Sequence, residues 1–376
     1  MSNQNSVPQK RLQWIDYTKG LAILGVVLFH FFQNYPDRLN LVTILDNTGA
    51  KIGFAAVDIF FVIAGFNTSY VFASMLSTGK ITNLKIDWKA WLKKRLFRLY
   101  PTYWLAVLLS LGLLFLFGTI RLKSGLDFSY ILLGLPSYQR FKTINPGFWF
   151  FSVILQAYLV IPLIFYFCQE NRKMILWLGI IGGLATKVAC LLMPHNSFWF
   201  KFFLQNDFLG SYLFQLCLGL YWGFTYFEKQ KFRHIDIITS ILVFTGGITA
   251  YAIMSYRGIN ILYMTGFDIL FTPTLFLLCY WLCHYLITPS SLQAVAKPIS
   301  ISGLYSYQIY LIHQPLFFIL LPLLVKNIDL PEYPKLIISI IVTALLLLIY
   351  VFTFSHIDRW LGKIIQKIPK KLAIFS

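Results

Sequence analysis

The sequence has little charge, and acidic charge is the scarcest. Only 12% of its 376 residues are charged, about half the share of roughly 25% that soluble domains carry. Thirty-two lysines and arginines face 14 acidic residues, and 58% of the residues are hydrophobic. This composition excludes an ordinary soluble domain. The basic residues lie in short segments between apolar runs, so they indicate membrane topology, anionic lipid or an anionic ligand, and not nucleic acid.

Cysteine is also scarce, and its spacing excludes the common metal motifs. Each cysteine lies inside or at the end of an apolar run, and none forms a Cys-x-x-Cys pair; the five are Cys168, Cys190, Cys217, Cys279 and Cys283. We therefore expect small buried hydrophobic side chains, no metal site and no permanently bound cofactor. The first apolar run is not followed by a small-residue cleavage site, so we expect no cleavable signal peptide.

The apolar runs themselves predict an all-α polytopic membrane protein. A transmembrane helix needs about 20 apolar residues. Ten candidate spans meet that length, at about 17–34, 52–74, 101–120, 147–168, 174–193, 208–227, 236–256, 265–288, 301–325 and 334–355. The predicted organisation is an N-terminal cytoplasmic tail (1–15), a membrane domain (16–356) and a basic cytoplasmic C-terminal tail (357–376).

A basic amphipathic segment separates the second and third predicted spans. Over 83–100, tryptophans and leucines alternate with lysines and arginines, which is typical of a helix lying in the membrane interface. Pro101 would then begin a new span. With the N-terminus inside, the inner segments carry about twice as many lysines and arginines as the outer ones, with 119–146 as an outer loop. The positive-inside rule therefore predicts two cytoplasmic termini at a bacterial plasma membrane.

The first span, "KGLAILGVVLFH", carries an ionisable residue near each end. Lys19 and His30 are eleven residues apart, within about 20° of each other on a helical wheel and roughly 16 Å apart along the axis. Ionisable groups in a membrane are costly unless they face a cavity or a partner. Snorkelling of Lys19 and an interhelical hydrogen bond of His30 are the simpler alternatives.

Other spans place polar residues at a similar depth. Asp58 lies in "AAVDIFFVIAGF" and His313 in "SYQIYLIHQP", while the fourth span carries Trp149, Ser152 and Gln156. Each could be a buried hydrogen-bonding residue, but the convergence of His30, His313 and Asp58 predicts a site. Asp268, His284 and Lys187 are expected to have no functional role.

Five stretches, in order, resemble the acyltransferase 3 family of membrane-bound cell-surface sugar O-acyltransferases. They are "WIDYTKGLAILGVVLFH", "AVDIFFVIAGF", "KRLFRLYPTYW", "FWFFSVILQAYLVIPLI" and "GLYSYQIYLIHQPL". The sequence departs from the family pattern at Lys19, where arginine is usual, and at Ile154 and Leu155, where many members carry glutamate. Lysine keeps the charge but loses the two-pronged hydrogen bonding of arginine.

The resemblance implies an acyl-CoA donor, most often acetyl-CoA, and a glycan hydroxyl as acceptor. His30 is the candidate general base, because imidazole titrates near neutral pH, and Asp58 is expected to orient it, with His313 nearby. Lys19, Arg95 and Arg98 are the candidate donor-binding residues, since guanidinium groups suit phosphates. Trp149, Ser152, Gln156 and Tyr310 are expected to line the acceptor cavity.

Several alternatives remain open at this point. Arg95 and Arg98 could simply anchor the chain to anionic lipid. Intramembrane histidines and aspartates would also suit a polysaccharide or lipid-linked sugar transporter, although no inverted repeat is visible. A purely structural subunit is a third alternative. The sequence does not distinguish an acetyl donor from a succinyl donor, or direct transfer from transfer through an acylated side chain. It does not distinguish a monomer from an oligomer either.

Overall fold

The computed structural model describes residues 11–81, 86–118, 122, 124–168, 171–194, 196–204, 207–258, 268–288 and 293–372. In these ranges the chain is largely helical and contains no strand, so the predicted all-α fold is confirmed. The helices are α1 (Gln13–Asn34), α2 (Asn40–Ser77), α3 (Trp88–Phe117), α4 (Gly125–Leu133), α5 (Tyr138–Phe141), α6 (Trp149–Cys168), α7 (Arg172–Leu192), α8 (Phe198–Leu204), α9 (Leu213–Lys229), α10 (His234–Tyr256), α11 (Asp268–Trp281), α12 (Gln293–Leu304), α13 (Ser306–Pro315), α14 (Leu321–Lys326) and α15 (Glu332–Leu372).

Nine helices in the described part of the chain are long and apolar enough to cross a membrane, against ten predicted spans. The predicted span at 208–227 corresponds to α9, which has 17 residues and follows a 3₁₀ turn at Leu209–Tyr212. Every residue of α9 from Phe214 to Tyr226 is buried. A helix that is apolar on all sides is enclosed by other helices, so α9 is an internal helix of the protein.

The basic segment is not a separate interfacial helix. Residues 88–100 and the third predicted span form one helix, α3, with Pro101 inside it, so the predicted break at Pro101 is wrong; residues 82–85 lie outside the described residues. Proline removes the hydrogen bond to the carbonyl of Phe97, and Phe97 is exposed. The predicted amphipathic pattern is present, because Lys89, Lys93, Lys94 and Arg98 are exposed while the alternating tryptophans and leucines are buried or half-buried.

Within the segment predicted as an outer loop, 119–146, the residues from 124 onward form helices, and α4 lies beside α3. Tyr100, Tyr103 and Trp104 donate side-chain hydrogen bonds to the last three carbonyls of α4, on Leu133, Ile131 and Leu132 respectively. Tyr103 lies 14 residues before the end of α3, roughly 21 Å along the helix axis. The donors at Leu132 and Leu133 therefore satisfy carbonyls at the end of α4 that the helix itself leaves unpaired, while the Ile131 carbonyl also accepts from the N–H of Gly134.

The helices form two compact units that alternate along the chain. Unit 1 comprises Met1–Ala22, Phe54–Trp91 and Val153–Gly303. Within it, α2 and α9 approach so closely that a Cβ atom on Gly219 would lie 2.0 Å from the carbonyl oxygen of Val62. Trp14 packs in an aromatic cluster of the same unit, with the rings of Phe66, Tyr226, Phe232, Phe276 and Tyr280.

Unit 2 comprises Ile23–Gly53, Leu92–Ser152 and Leu304–Ser376. Its apolar core joins the end of α1, the start of α2, the segment after α13 and α15, and we call it the unit 2 core. The buried members are Phe31, Tyr35, Leu39, Val42, Leu316, Phe317, Leu321, Val325 and Leu336. The predicted C-terminal tail from residue 357 begins inside α15, which continues to Leu372.

Candidate functional site

The side chain of His30 is fixed by two glutamine amides of unit 2. Its Nδ1 lies 2.9 Å from Oε1 of Gln33, one turn later on α1, and an oxygen acceptor there places the ring proton on Nδ1. Its Nε2 lies 2.9 Å from the amide nitrogen of Gln314, which donates to it. His30 is therefore held as a neutral imidazole whose Nε2 is a proton acceptor.

His313 is held in the same tautomer, by its own helix. Its Nδ1 lies 3.1 Å from the carbonyl oxygen of Ile309 and 2.9 Å from that of Tyr310, so Nδ1 carries the proton. The residue is completely buried, and its Nε2 has no hydrogen-bond partner in the described part of the protein. A buried, unpaired nitrogen lone pair is costly, and groups of this kind concentrate where a substrate or water completes the site.

The two imidazoles form a pair. Their ring centroids are 5.1 Å apart and the ring planes are tilted by 43°. Tyr310, one turn before His313, packs its ring against His313 and against Phe150. The predicted convergence of His30 and His313 is thus present in unit 2, with Tyr310 beside them. Such a pair can accept a proton at either Nε2 atom and share the resulting charge.

A proline explains how the start of α6 is attached to the histidine helix. Pro315 has no N–H, so the carbonyl of Leu311, four residues earlier, lacks its helical hydrogen bond. The buried side chain of Asn145 supplies it, donating from Nδ2 to the oxygen of Leu311 at 2.7 Å. Oδ1 of Asn145 also accepts from the backbone N–H of Gly147 at 2.9 Å. One side chain therefore positions the turn before α6 against α13.

We expect Asn145→Ala to destabilise the protein markedly, because it leaves the buried Leu311 carbonyl and the Gly147 N–H unpaired. Each loss costs about 1–3 kcal/mol. Thermal unfolding of the purified protein in detergent measures this. Asn327→Ala is the matched control: Asn327 donates to a helix carbonyl, that of Leu323, at 2.8 Å but is exposed, so its loss should cost less than about 0.5 kcal/mol. Equal shifts for the two variants would contradict the role assigned to Asn145.

Asp58 belongs to unit 1, and its described contacts are within that unit. It is buried, and its carboxylate accepts hydrogen bonds at 3.0 Å from the Gln215 amide and at 3.0 Å from the Thr272 hydroxyl. Both contacts are with neutral groups on α9 and α11. The role of Asp58 in orienting His30 stays a prediction; the His30 ring nitrogens hydrogen-bond with the side-chain amides of Gln33 and Gln314.

Lys19 is held by an acidic neighbour. It lies on α1, as predicted, and its Nζ is 3.6 Å from Oδ1 of the buried Asp16. Nε of Arg11 lies 2.7 Å from the other carboxylate oxygen of Asp16. Two cations therefore share one carboxylate at the beginning of the first span, which leaves one net positive charge. A donor-binding role for Lys19 remains a prediction.

Arg95 and Arg98 lie on α3, in unit 2. Arg98 is exposed, whereas Arg95 is half-buried. Tyr307, at the start of the histidine helix α13, donates from its hydroxyl to the carbonyl oxygen of Leu99 at 3.4 Å. The arginine-bearing turn of α3 is thus in contact with the helix that carries His313, six residues further on.

The predicted acceptor-cavity residues have different surroundings. Trp149 and Ser152 are buried at the start of α6, and Oγ of Ser152 has no partner among the described residues. Gln156 is part of unit 1, where it donates to the carbonyl of Asp207 at 2.8 Å and accepts from the N–H of Leu209 at 3.0 Å. Both ends of its amide thus bind backbone groups, and its role in lining an acceptor cavity stays a prediction.

Sequence reasoning did not single out the three amides that build the site, Gln33, Gln314 and Asn145. Gln33 lies three residues after His30, so the helical i,i+3 rule offered a signal. Gln314 is adjacent to His313, and its contact with His30 depends on tertiary packing. Among the described residues, no group of three or more His, Cys, Asp or Glu side chains converges to hold a metal ion.

Comparison with known proteins identifies relatives along most of the chain. A family described as an acyltransferase domain matches residues 12–357. O-acetyltransferase OatA of Staphylococcus aureus (strain MRSA252) is 26% identical over 395 aligned residues, covering 97% of this chain and 60% of the relative. Peptidoglycan O-acetyltransferase OatA of Listeria monocytogenes serovar 1/2a is 22% identical over 351 residues, covering 86% and 52%. The chain thus spans less than two thirds of these relatives' length, and no solved structure matches it.

The family match confirms the resemblance predicted from the five sequence stretches, and it gives no support to the transporter alternative. Both histidines and both arginines of the candidate site fall inside the matched region. This chain belongs to the acyltransferase 3 family.

Proposed function

We propose that this protein transfers an acyl group, acetyl in the first instance, from cytoplasmic acyl-CoA to a hydroxyl of a cell-surface glycan. The supporting observation is the histidine pair, in which His313 is buried and His30 is half-buried. Each imidazole carries its proton on Nδ1, which leaves Nε2 as the proton acceptor. Family membership and the relatives named as O-acetyltransferases support the reaction class. The relative named for peptidoglycan makes that polymer the first acceptor to test.

The proposed reaction releases one proton through the histidine pair. Nε2 of one imidazole takes the proton of the acceptor hydroxyl, and the resulting oxygen nucleophile attacks the thioester carbonyl. A carbon–oxygen bond forms and the carbon–sulfur bond breaks. Coenzyme A leaves as its thiolate, which is protonated in the aqueous phase, and the imidazolium gives up its own proton to water, which restores the neutral pair. Direct transfer is the simplest route, because it needs no acylated side chain.

The proposed donor path begins at α3. Arg95 and Arg98 bind the phosphates of acyl-CoA, since guanidinium groups form two hydrogen bonds with a phosphate. A polar cluster joins α3 to the helices around the histidines: Thr102 donates to Asp358 of α15 at 2.7 Å, and Gln308 of α13 donates to the same carboxylate at 3.3 Å. In this proposal both termini are cytoplasmic, in a bacterial plasma membrane, and the acceptor approaches from the opposite side.

A transfer assay with the purified full chain tests the proposal. Radiolabelled acetyl-CoA and succinyl-CoA are each supplied with peptidoglycan fragments, and label in the glycan is measured. We expect acetyl transfer that needs both donor and glycan. Label that stays on the protein without acceptor would indicate an acylated side chain instead. A chain that catalyses no transfer with any glycan, yet is folded and inserted in the membrane, would contradict the proposal.

We expect Arg95→Gln combined with Arg98→Gln to raise the KM for acyl-CoA by on the order of 10–100-fold, because charge-assisted hydrogen bonds to the phosphates are lost. Steady-state kinetics with varied acyl-CoA measures it. The control is Lys93→Gln with Lys94→Gln, which removes the same charge from the exposed face of the same helix. If both double variants change KM equally, the arginines act only through bulk charge and do not bind the donor specifically.

A further inference from the structure

One face of α15 carries three buried hydroxyl groups that lie in a line. Ser339, Thr343 and Tyr350 fall within about 40° of one another on the helical wheel. Ser339 and Thr343 are buried, and the hydroxyl oxygens of all three residues are buried and have no hydrogen-bond partner on this helix. Most of this long helix is exposed, so the buried polar line faces the protein interior.

A fourth hydroxyl extends the line at one end. Tyr35 is completely buried in the unit 2 core, and its hydroxyl lies beside that of Ser339. Burial raises the pKa of the Tyr35 phenol, a hydrogen bond with the Ser339 side chain lowers it, and the charges of Asp37 and Lys335 act in opposite directions. Lys335 and Asp37 form an ion pair at 3.2 Å with partly exposed side chains, so this end of the line reaches solvent.

The unpaired state of these hydroxyls is not the usual one for a helix. Serine and threonine in buried helices normally donate to the carbonyl four residues earlier. Thr353 does so on this same helix, at 2.9 Å from the oxygen of Ile349. Ser339 and Thr343 do not, although their helical environment would allow it. A buried hydroxyl without a partner costs about 1–3 kcal/mol, and polar interior sites of this kind are where proteins hold ordered water.

The spacing of the hydroxyls fits short chains of water molecules. Four residues separate Ser339 from Thr343, roughly 6 Å along the helix. Helical side chains point toward the N-terminus, so the Tyr350 hydroxyl lies about one turn before its own Cα, roughly 5 Å beyond the level of Thr343. One water that bonds two oxygens at about 2.8 Å each spans up to roughly 5.6 Å. One or two bridging waters per step therefore connect the line.

We propose that a file of ordered water runs along α15 from the Lys335–Asp37 ion pair, past Tyr35, Ser339 and Thr343 to Tyr350, and ends at Nε2 of His313. Tyr350 packs against the unit 2 core, which includes Phe317, and the rings of Phe317 and His313 are 5.9 Å apart. The ligand is water, and its function is proton exchange between His313 and the aqueous phase beside Asp37. This function rests on the proposed acyl transfer, whereas the presence of the water does not.

Radiolytic labelling with ¹⁸O-water tests for the file without any activity assay, because buried side chains next to bound water take up the label. We expect Tyr35 and Tyr350 of the full chain in detergent to be labelled at least several-fold faster than Tyr103. Tyr103 is the matched control: like Tyr35 it is fully buried in unit 2, but its hydroxyl donates to the carbonyl of Ile131. Uptake at Tyr35 and Tyr350 no faster than at Tyr103 would overturn the proposal.

Thr343→Val tests continuity, and Thr343→Ser restores the hydroxyl. We expect valine to slow labelling of Tyr350 several-fold without changing Tyr35, and serine to restore it. The rate of acyl transfer at saturating donor should fall several-fold in Thr343→Val with the KM for acyl-CoA unchanged. Unchanged labelling of Tyr350 in the valine variant refutes a continuous file. Reduced labelling with an unchanged transfer rate refutes only the proton-exchange function.

Discussion

Replacing His30 by alanine is expected to lower the rate of acyl transfer by on the order of 10²–10⁴-fold, the contribution typical of a well-placed general base. His30 is held by Gln33 and Gln314, so its Nε2 has a fixed direction, and alanine removes that acceptor without touching the unit 2 core. Initial rates with radiolabelled acetyl-CoA and saturating glycan measure the effect.

His313→Ala should have an effect of similar size, because the two rings lie 5.1 Å apart and share one proton in the proposed reaction. Groups that act as a unit show non-additive losses. We therefore expect the His30→Ala, His313→Ala double variant to be little slower than the worse single variant. Fully additive losses would mean that the two imidazoles act in separate steps.

His234→Ala is the matched control for these variants. His234 is exposed at the start of α10 in unit 1, and its replacement should leave the transfer rate within a factor of two. All four variants should elute as monodisperse protein in detergent. A His30→Ala protein that is folded and still transfers at more than about a tenth of the wild-type rate excludes His30 as the base.

The sequence was sufficient to predict that His30 and His313 come together, for a physical reason. An imidazole in an apolar helix must face a polar partner or a cavity, and both were placed at a similar depth. Their tautomers were not predictable, because those depend on Gln314 and on the carbonyls of Ile309 and Tyr310. Pro315 itself predicts a free carbonyl at Leu311. That Asn145 would be its donor was not predictable, since the contact joins residues 166 positions apart.

Other predictions failed where tertiary contacts override local preference. Pro101 indicates a helix start by its own chemistry, yet α3 continues through it. The charge pattern predicts a loop at 119–146. The side chains of Tyr100, Tyr103 and Trp104 instead donate hydrogen bonds that let α4 lie beside α3. A search for membrane spans treats tyrosine and tryptophan as apolar residues and ignores their O–H and N–H donors. A hydropathy pattern therefore does not predict that α4 lies beside α3.

The prediction with the largest effect on folding is Gly219→Val in unit 1. A Cβ atom at position 219 would lie 2.0 Å from the oxygen of Val62 and 2.8 Å from the nitrogen of Phe66, both on the backbone of α2. Backbone atoms cannot move aside as a side-chain end can, so the two helices must separate. Overpacking of a core usually costs 1–3 kcal/mol, and a clash with two rigid helices should cost about 3 kcal/mol or more.

Each of the two helices places a glycine against the backbone of the other, so a small rotation of one helix would not relieve the clash. On α2, a Cβ atom at Gly65 would lie 2.1 Å from the oxygen of Leu216 on α9. Separation of these helices would also break the 3.0 Å hydrogen bond between Gln215, one turn before Gly219, and the buried Asp58. A buried carboxylate that loses a donor adds a further cost of about 1–3 kcal/mol or more.

The yield of monodisperse protein and the midpoint of thermal unfolding in detergent measure the effect. Gly246→Val is the matched control, because a Cβ atom there meets nothing within 4 Å on a helix that is also a membrane span. We expect near-normal yield and stability for Gly246→Val, an intermediate loss for Gly219→Ala and little folded protein for Gly219→Val. If Gly219→Val folds as well as Gly246→Val, then α2 and α9 are not in close backbone contact, and the position of Asp58 beside Gln215 must be different from the one described.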